Sequence, residues 1–285
     1  MDFRALVSPL LILRFFQIFF SCTAFSLVAS VDAFHNQYGA WSMFTWILCF
    51  VMTILIVALE LSGFCHKIPI SWEDFTSAFS MLASLMLFTT SIMYPAVFLN
   101  GGCSGHSCAC SGAATAMSIL CFFAYAIEVG LTRAKPGEIS GFLSTIPGLL
   151  KVFEAYVACI IFSLLPGSYP YPGLQWSVAV YSICFIITTL IIILTIGRLL
   201  PSLPINFERV LIGFNFLAVA MYITATVVWP IYFFKSVPNR DGCQAYSICL
   251  WDNGVGITIL TIINLLAYIV DTAYSLRMVF FTVQA

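Results

Sequence analysis

Apolar runs recur along the chain, broken by short segments rich in glycine, proline and charge. Each run reaches about twenty residues, the length a helix needs to cross the hydrocarbon of a bilayer. They predict eight spans, over residues 10–31, 41–61, 76–98, 111–131, 148–165, 175–197, 208–230 and 255–281. The first has some look of a signal peptide, because Arg4 precedes an apolar run ending in Leu-Val-Ala-Ser. Arg14 interrupts that run, and the segment has a counterpart later in the chain, so it counts as a span.

That counterpart belongs to an internal repeat. RFFQIFFSCTAFSL (14–27) lies over KVFEAYVACIIFSL (151–164), matching Phe16 with Phe153, Cys22 with Cys159 and Phe25 with Phe162. WSMFTWILCF (41–50) lies over WSVAVYSICF (176–185), and Tyr94-Pro95 over Trp229-Pro230. AYAIE ending at Glu128 lies over AYIVD ending at Asp271. Four matches in one order predict two tandem four-span units, 10–134 and 148–282, joined by a Gly- and Pro-containing linker at 135–147. The expected fold is an all-α integral membrane protein, each unit an antiparallel four-helix bundle with short connections.

Composition agrees with the spans: 61% of residues are apolar and only 8% charged, against roughly 25% charged in soluble domains. The formal charge of −1, without a basic tail, gives no footprint for nucleic acid. Nine of the 11 basic residues fall on one side of the eight-span arrangement, leaving Lys235 and Arg240 on the other. The positive-inside rule then places both termini in the cytosol and segments 32–40, 99–110, 166–174 and 231–254 outside. No outer segment carries an Asn-x-Ser/Thr acceptor.

The runs CTAFSLVAS, WSMFTW, RAKPGEISGFLSTIPGLLKVFEAYVACIIF and ILTIINLLAYIVD closely resemble the myeloid-associated differentiation marker family. The resemblance covers nearly the whole chain and is most specific in the linker. It implies two tandem MARVEL domains, cholesterol-rich membrane at the plasma membrane and its vesicles, traffic, and membrane apposition at cell contacts. It also implies links to cortical actin and junctions, with sterol-rich lipid and other membrane or cortical proteins as partners. Self-association stays open. The chain departs from the family in its short segment before the first span and its Cys-rich second outer segment.

Candidate chemistry is sparse. Cys22, Cys49, Cys121, Cys159 and Cys184 fall within spans, where a thiol is usually a small packing group. Cys65 follows the second span on the cytosolic side, a palmitoylation candidate set against an unmodified thiol. Outside the cell, Cys243 and Cys249 in CQAYSIC suit a disulfide in a short loop. Cys103, Cys108 and Cys110 surround His106, but their spacing matches no zinc finger. No HExxH, GxSxG or GxxxxGK[ST] motif is present, so neither an enzyme nor a cofactor is expected.

A channel or small-molecule transporter is the rival to a membrane organiser, since repeats are common in transporters. Against it, no ionisable residue is expected at mid-span. Pro95 and Pro230 are expected to stop their helices at the interface, with Tyr94 and Trp229 in the aromatic belt. Asn215 and Asn264 are the deepest amides, suited to bonds between helices. A receptor acting through its outer loops ranks lower, because those loops are short.

Glu128 and Asp271 each lie roughly 25 Å from the outer end of their spans. Arg14 and Lys151 reach similar depth on the first span of each unit. First and last helices are neighbours in an up-down bundle, so Arg14 is expected to pair with Glu128 and Lys151 with Asp271. The alternative is that each charge snorkels independently to the headgroups. Glu154 could neutralise Lys151 along its own helix, and Glu60 could compete for Arg14.

Overall fold

The structure is a computed structural model and describes residues 9–99, 105–133, 142–165, 171–199, 207–237 and 249–282. Its long helices are α1 (Pro9–Ser30), α2 (Gln37–Leu61), α3 (Trp72–Phe98), α4 (His106–Arg133), α5 (Ile146–Leu164), α6 (Pro172–Ile196), α7 (Phe207–Ser236) and α8 (Leu250–Thr282). All eight are long and apolar enough to cross a membrane. The chain divides into two units after Ser144. Within each unit, consecutive helices pack side by side and the fourth returns to the first.

Local chemistry marks the helix ends. Asn36 caps α2 by accepting a bond from Gly39 N at 2.7 Å, and a side chain at Gly39 would strike the Phe34 backbone. Beyond α2 the chain turns at Gly63 with φ 69°, a left-handed value that glycine adopts at little cost. Thr145 caps α5, and Pro147 and Pro172 sit in the first turns of α5 and α6, where a missing N–H costs nothing.

Residues 142–144, inside the linker expected from sequence, pack against α3 as a short 3-10 turn. Asp74 holds them: one carboxylate oxygen accepts from Leu143 N at 2.7 Å, the other from Ser71 Oγ at 2.6 Å. Ser77 and Ser144 hydroxyls meet at 2.9 Å.

The helices are inside-out relative to a soluble bundle. Along α8, Ile257, Thr261, Asn264, Tyr268, Asp271 and Ser275 form one buried stripe at helical spacing. The opposite face exposes Ile259, Ile262, Leu266 and Val270. α4 repeats the design with Ser111, Ala114, Ser118, Cys121, Tyr125 and Glu128 inside. Cys49, Cys121 and Cys184 are buried, whereas Cys159 faces outward and Cys22 is half-buried.

Two sequence expectations need correction. Pro95 and Pro230 do not end their helices: α3 runs on to Phe98 and α7 to Ser236. A proline loses one intrahelical bond, but the turn beyond it still closes, as Leu99 N does onto Pro95 O at 2.9 Å. Tyr94 and Trp229 are fully buried in their bundles and so are not belt residues. Tyr94 OH reaches Ser111 Oγ at 3.4 Å, and Trp229 Nε1 reaches Gly254 O at 3.4 Å.

Candidate functional site

The polar residues of each unit converge on a buried ionic cluster. In the first unit Arg14 lies in the second turn of α1, facing α4. Its Nε donates to Glu128 Oε1 at 3.0 Å, while Gln17, one turn further on, donates to Glu128 Oε2 at 2.6 Å. Arg14 Nη1 also bonds Glu60 at the end of α2, and Trp72 Nε1 at the start of α3 donates to Glu60 Oε1 at 3.0 Å. One network thus ties all four helices at the end where α1 starts and α4 finishes. Arg14 and Glu128 are buried, whereas the Glu60 side chain keeps 32% of its surface exposed.

The second unit places Lys151 of α5 in the corresponding position. Its ammonium donates to Glu154 Oε2 at 2.8 Å and to Asn215 Oδ1 at 2.7 Å, and lies 2.7 Å from Asp271 Oδ2. Asn215 Nδ2 donates to Asp271 Oδ2 at 2.9 Å, and Ser275 Oγ to Asp271 Oδ1 at 3.2 Å. The rings of Phe214 and Tyr268 flank the ammonium at 5.2 and 4.9 Å. Lys151, Glu154 and Asp271 have no exposed side-chain surface.

The structure therefore brings together Arg14 with Glu128 and Lys151 with Asp271, and both same-unit competitors, Glu60 and Glu154, join in. It corrects the expectation that no ionisable residue sits at mid-span. Glu154 is the ninth residue of the 19-residue α5, about 12 Å from one end of the helix and 15 Å from the other. Its burial follows from its spacing: it lies one turn beyond Lys151 on the same inward face.

The repeat extends to individual contacts. Trp46 Nε1 donates to Ser118 Oγ at 3.1 Å, and at the equivalent places Tyr181 and Thr261 hydroxyls meet at 2.8 Å. Thr53 bonds Tyr125 as Thr188 bonds Tyr268. Phe25 packs on Phe50, ring centres 5.4 Å apart, as Phe162 packs on Phe185 at 5.5 Å. Asn264 Nδ2 donates to Tyr222 OH at 2.7 Å and approaches Glu154 O at 3.4 Å. Gln17 Oε1, Glu154 Oε1 and Asn264 Oδ1 are buried without a hydrogen-bond partner.

Among the cysteines expected outside the cell, Cys249 and Cys108 each stand in a disulfide. Cys243 and Cys103 lie outside the described residues. Cys110 is a free thiol 3.6 Å from His106 Nε2. Cys65 sits buried in the 3-10 turn Phe64–His66, so its thiol must turn outward before it can be acylated. Among the described residues no group of three His, Cys, Asp or Glu side chains is placed to hold a metal ion.

Sequence reasoning missed Trp72 as a donor to Glu60 and Asp74 as the anchor of the linker. An acid in the first turn of α3, just after Ser71, was the available signal.

The family model of MARVEL, the membrane-associating domain, matches the chain twice, over residues 5–131 and 142–274. Myeloid-associated differentiation marker of Homo sapiens is 44% identical over 290 residues, covering 97% of this chain and 90% of that protein. Its Rattus norvegicus counterpart is 45% identical over 292 residues, covering 97% and 92%. Myeloid-associated differentiation marker-like protein 2 of Homo sapiens is 39% identical over 287 residues, covering 97% and 94%. No solved structure matches the chain. With two membrane-associating domains, each carried on four apolar helices, the chain belongs to the MARVEL family as a multi-pass relative of the myeloid-associated differentiation markers.

Proposed function

We propose that the protein is a non-enzymatic organiser of sterol-rich membrane, acting at the plasma membrane and related vesicles with both termini in the cytosol. It associates laterally with lipid and with membrane or cortical proteins, and so sets where apposed, trafficked or junctional patches form. The observation that carries this reading is the inside-out construction. Charged and amide side chains are turned inward and bonded within a unit, while Phe15, Phe16 and Phe19 on α1 and Ile183, Ile186 and Ile193 on α6 face outward. Such a surface meets acyl chains, and lateral contacts there depend on packing and lipid order instead of apolar burial. The sterol, junction and traffic parts rest on the likeness to the differentiation markers. In the same reading Cys243 is the disulfide partner of Cys249, closing an outer loop, and peptide mapping without reduction reads that bond directly.

One observation favours the transporter reading. In the second unit polar groups follow one another along the core from Ser275 through Asp271, Asn215, Lys151, Glu154, Asn264 and Tyr222 to Thr261 and Tyr181. That is a polar track, although side chains bonded to each other fill it. Flux assays on purified full-length protein in liposomes separate the readings. The organiser predicts ion and small-solute leakage equal to that of empty liposomes. Saturable uptake that is lost in Asn215→Leu would replace it with a carrier.

A further inference from the structure

The two ionic clusters have the same charge count but different surroundings. Each sets one base against two acids: Arg14 against Glu60 and Glu128, and Lys151 against Glu154 and Asp271. In the first unit the surplus acid is Glu60, which is 32% exposed, so its charge can stay solvated. In the second unit both acids are wholly buried. An uncompensated charge in a low-dielectric interior is costly enough that the group neutralises instead.

The hydrogen bonds say which acid is neutral. Lys151 Nζ addresses Glu154, Asn215 and Asp271, three acceptors for the three protons of an ammonium. Asp271 is fully served: Oδ2 receives Lys151 and Asn215, and Oδ1 receives Ser275. Glu154 is not, because Oε2 receives Lys151 while Oε1 is buried with no partner. On the facing helix Asn264 Oδ1 is a second buried acceptor without a donor, and its own Nδ2 lies 3.4 Å from Glu154 O. The Glu154 carboxyl also meets the Asp271 carboxyl in a side-chain hydrogen bond, which needs a proton on one of the two.

We propose that the core of the second unit is a proton-binding site, with the proton carried as O–H on Glu154. The titratable groups around it are Lys151 on α5, Tyr181 and Cys184 on α6, Tyr222 on α7, and Tyr268 and Asp271 on α8. Of these only Lys151 is basic, and it is already shared between two carboxylates. The repeat points the same way, since the first unit carries Gln17, a permanently neutral carboxyl analogue, where the second carries Glu154. Glutamate there gives the second unit a proton to bind and release, linking its packing to pH. The inference stands whether or not the protein organises sterol-rich membrane.

Infrared difference spectroscopy on the purified full-length protein tests it. At neutral pH the wild type should show the carbonyl stretch of an un-ionised carboxylic acid that Glu154→Gln lacks. Asp271→Asn should lose the same band, because Lys151 then faces one acid and Glu154 ionises; this variant carries the test alone if Glu154→Gln does not fold. Since the folded chain would hold a proton that an unfolded glutamate releases, wild-type melting temperature should fall as pH rises from acid to neutral. Glu154→Gln should flatten that slope. A band that survives in Glu154→Gln, or its absence from the wild type, overturns the proposal. So does a wild-type melting temperature that follows sodium at constant ionic strength and ignores pH, which would make the ligand an alkali cation.

Discussion

Arg14 has two partners on two helices, Glu128 on α4 and Glu60 on α2, while Gln17 on its own helix holds the other oxygen of Glu128. That geometry sharpens what a charge exchange should do. Glu128→Arg leaves two buried cations side by side, and breaking such a pair typically costs about 3–5 kcal/mol. Delivery to the cell surface should therefore drop strongly. Arg14→Glu with Glu128→Arg should recover part of it, because the new acid at 14 then meets Glu60. Adding Glu60→Gln should recover most of the remainder. Surface labelling of the three variants beside the wild type reads the series, and a triple variant no better than Glu128→Arg would mean the pairing carries no stability. Pairing of first and last helices was legible in the sequence because charge, depth and bundle order all agreed. The local pairing of Lys151 with Glu154 was legible too, but their complete burial was not, and only the packed helices show that both face the core.

Among the elements, α7 and α8 pack tightly at Gly254. A Cβ there would lie inside the Phe233 ring, and Trp229 Nε1 donates to the Gly254 carbonyl. Gly254→Ala should destabilise the second unit, by about 1–3 kcal/mol as overpacking usually does. Gly130→Ala on α4 has open space and should instead stabilise by up to about 1 kcal/mol through helix propensity. Thermal unfolding in detergent distinguishes them, and equal melting temperatures for the two variants would contradict this packing. Helix number and order followed from apolar run length, with Arg14 and the internal repeat deciding the first span. The prolines misled because the same residue that ends a helix in water is tolerated in lipid, where the backbone has no better partner than the next turn. Tyr94 and Trp229 misled with them: an aromatic beside such a proline suits an interface, yet both turn inward to donate hydrogen bonds within the bundle.

Across the whole molecule, one four-helix plan is used twice and its contacts recur pair by pair, from Trp46–Ser118 and Tyr181–Thr261 to Phe25–Phe50 and Phe162–Phe185. What differs is the charge in the core, solvated at one edge in the first unit and sealed in the second. Such a protein presents lipid with an apolar exterior and keeps its polar chemistry inside, which suits an organiser that acts through its surface. The direct measurement is the partition of fluorescently labelled protein in vesicles derived from plasma membrane and cooled into two liquid phases. The account predicts enrichment in the ordered, sterol-rich phase or at its boundary, lost when sterol is extracted. Confinement to the disordered phase, unchanged by sterol extraction, would contradict it.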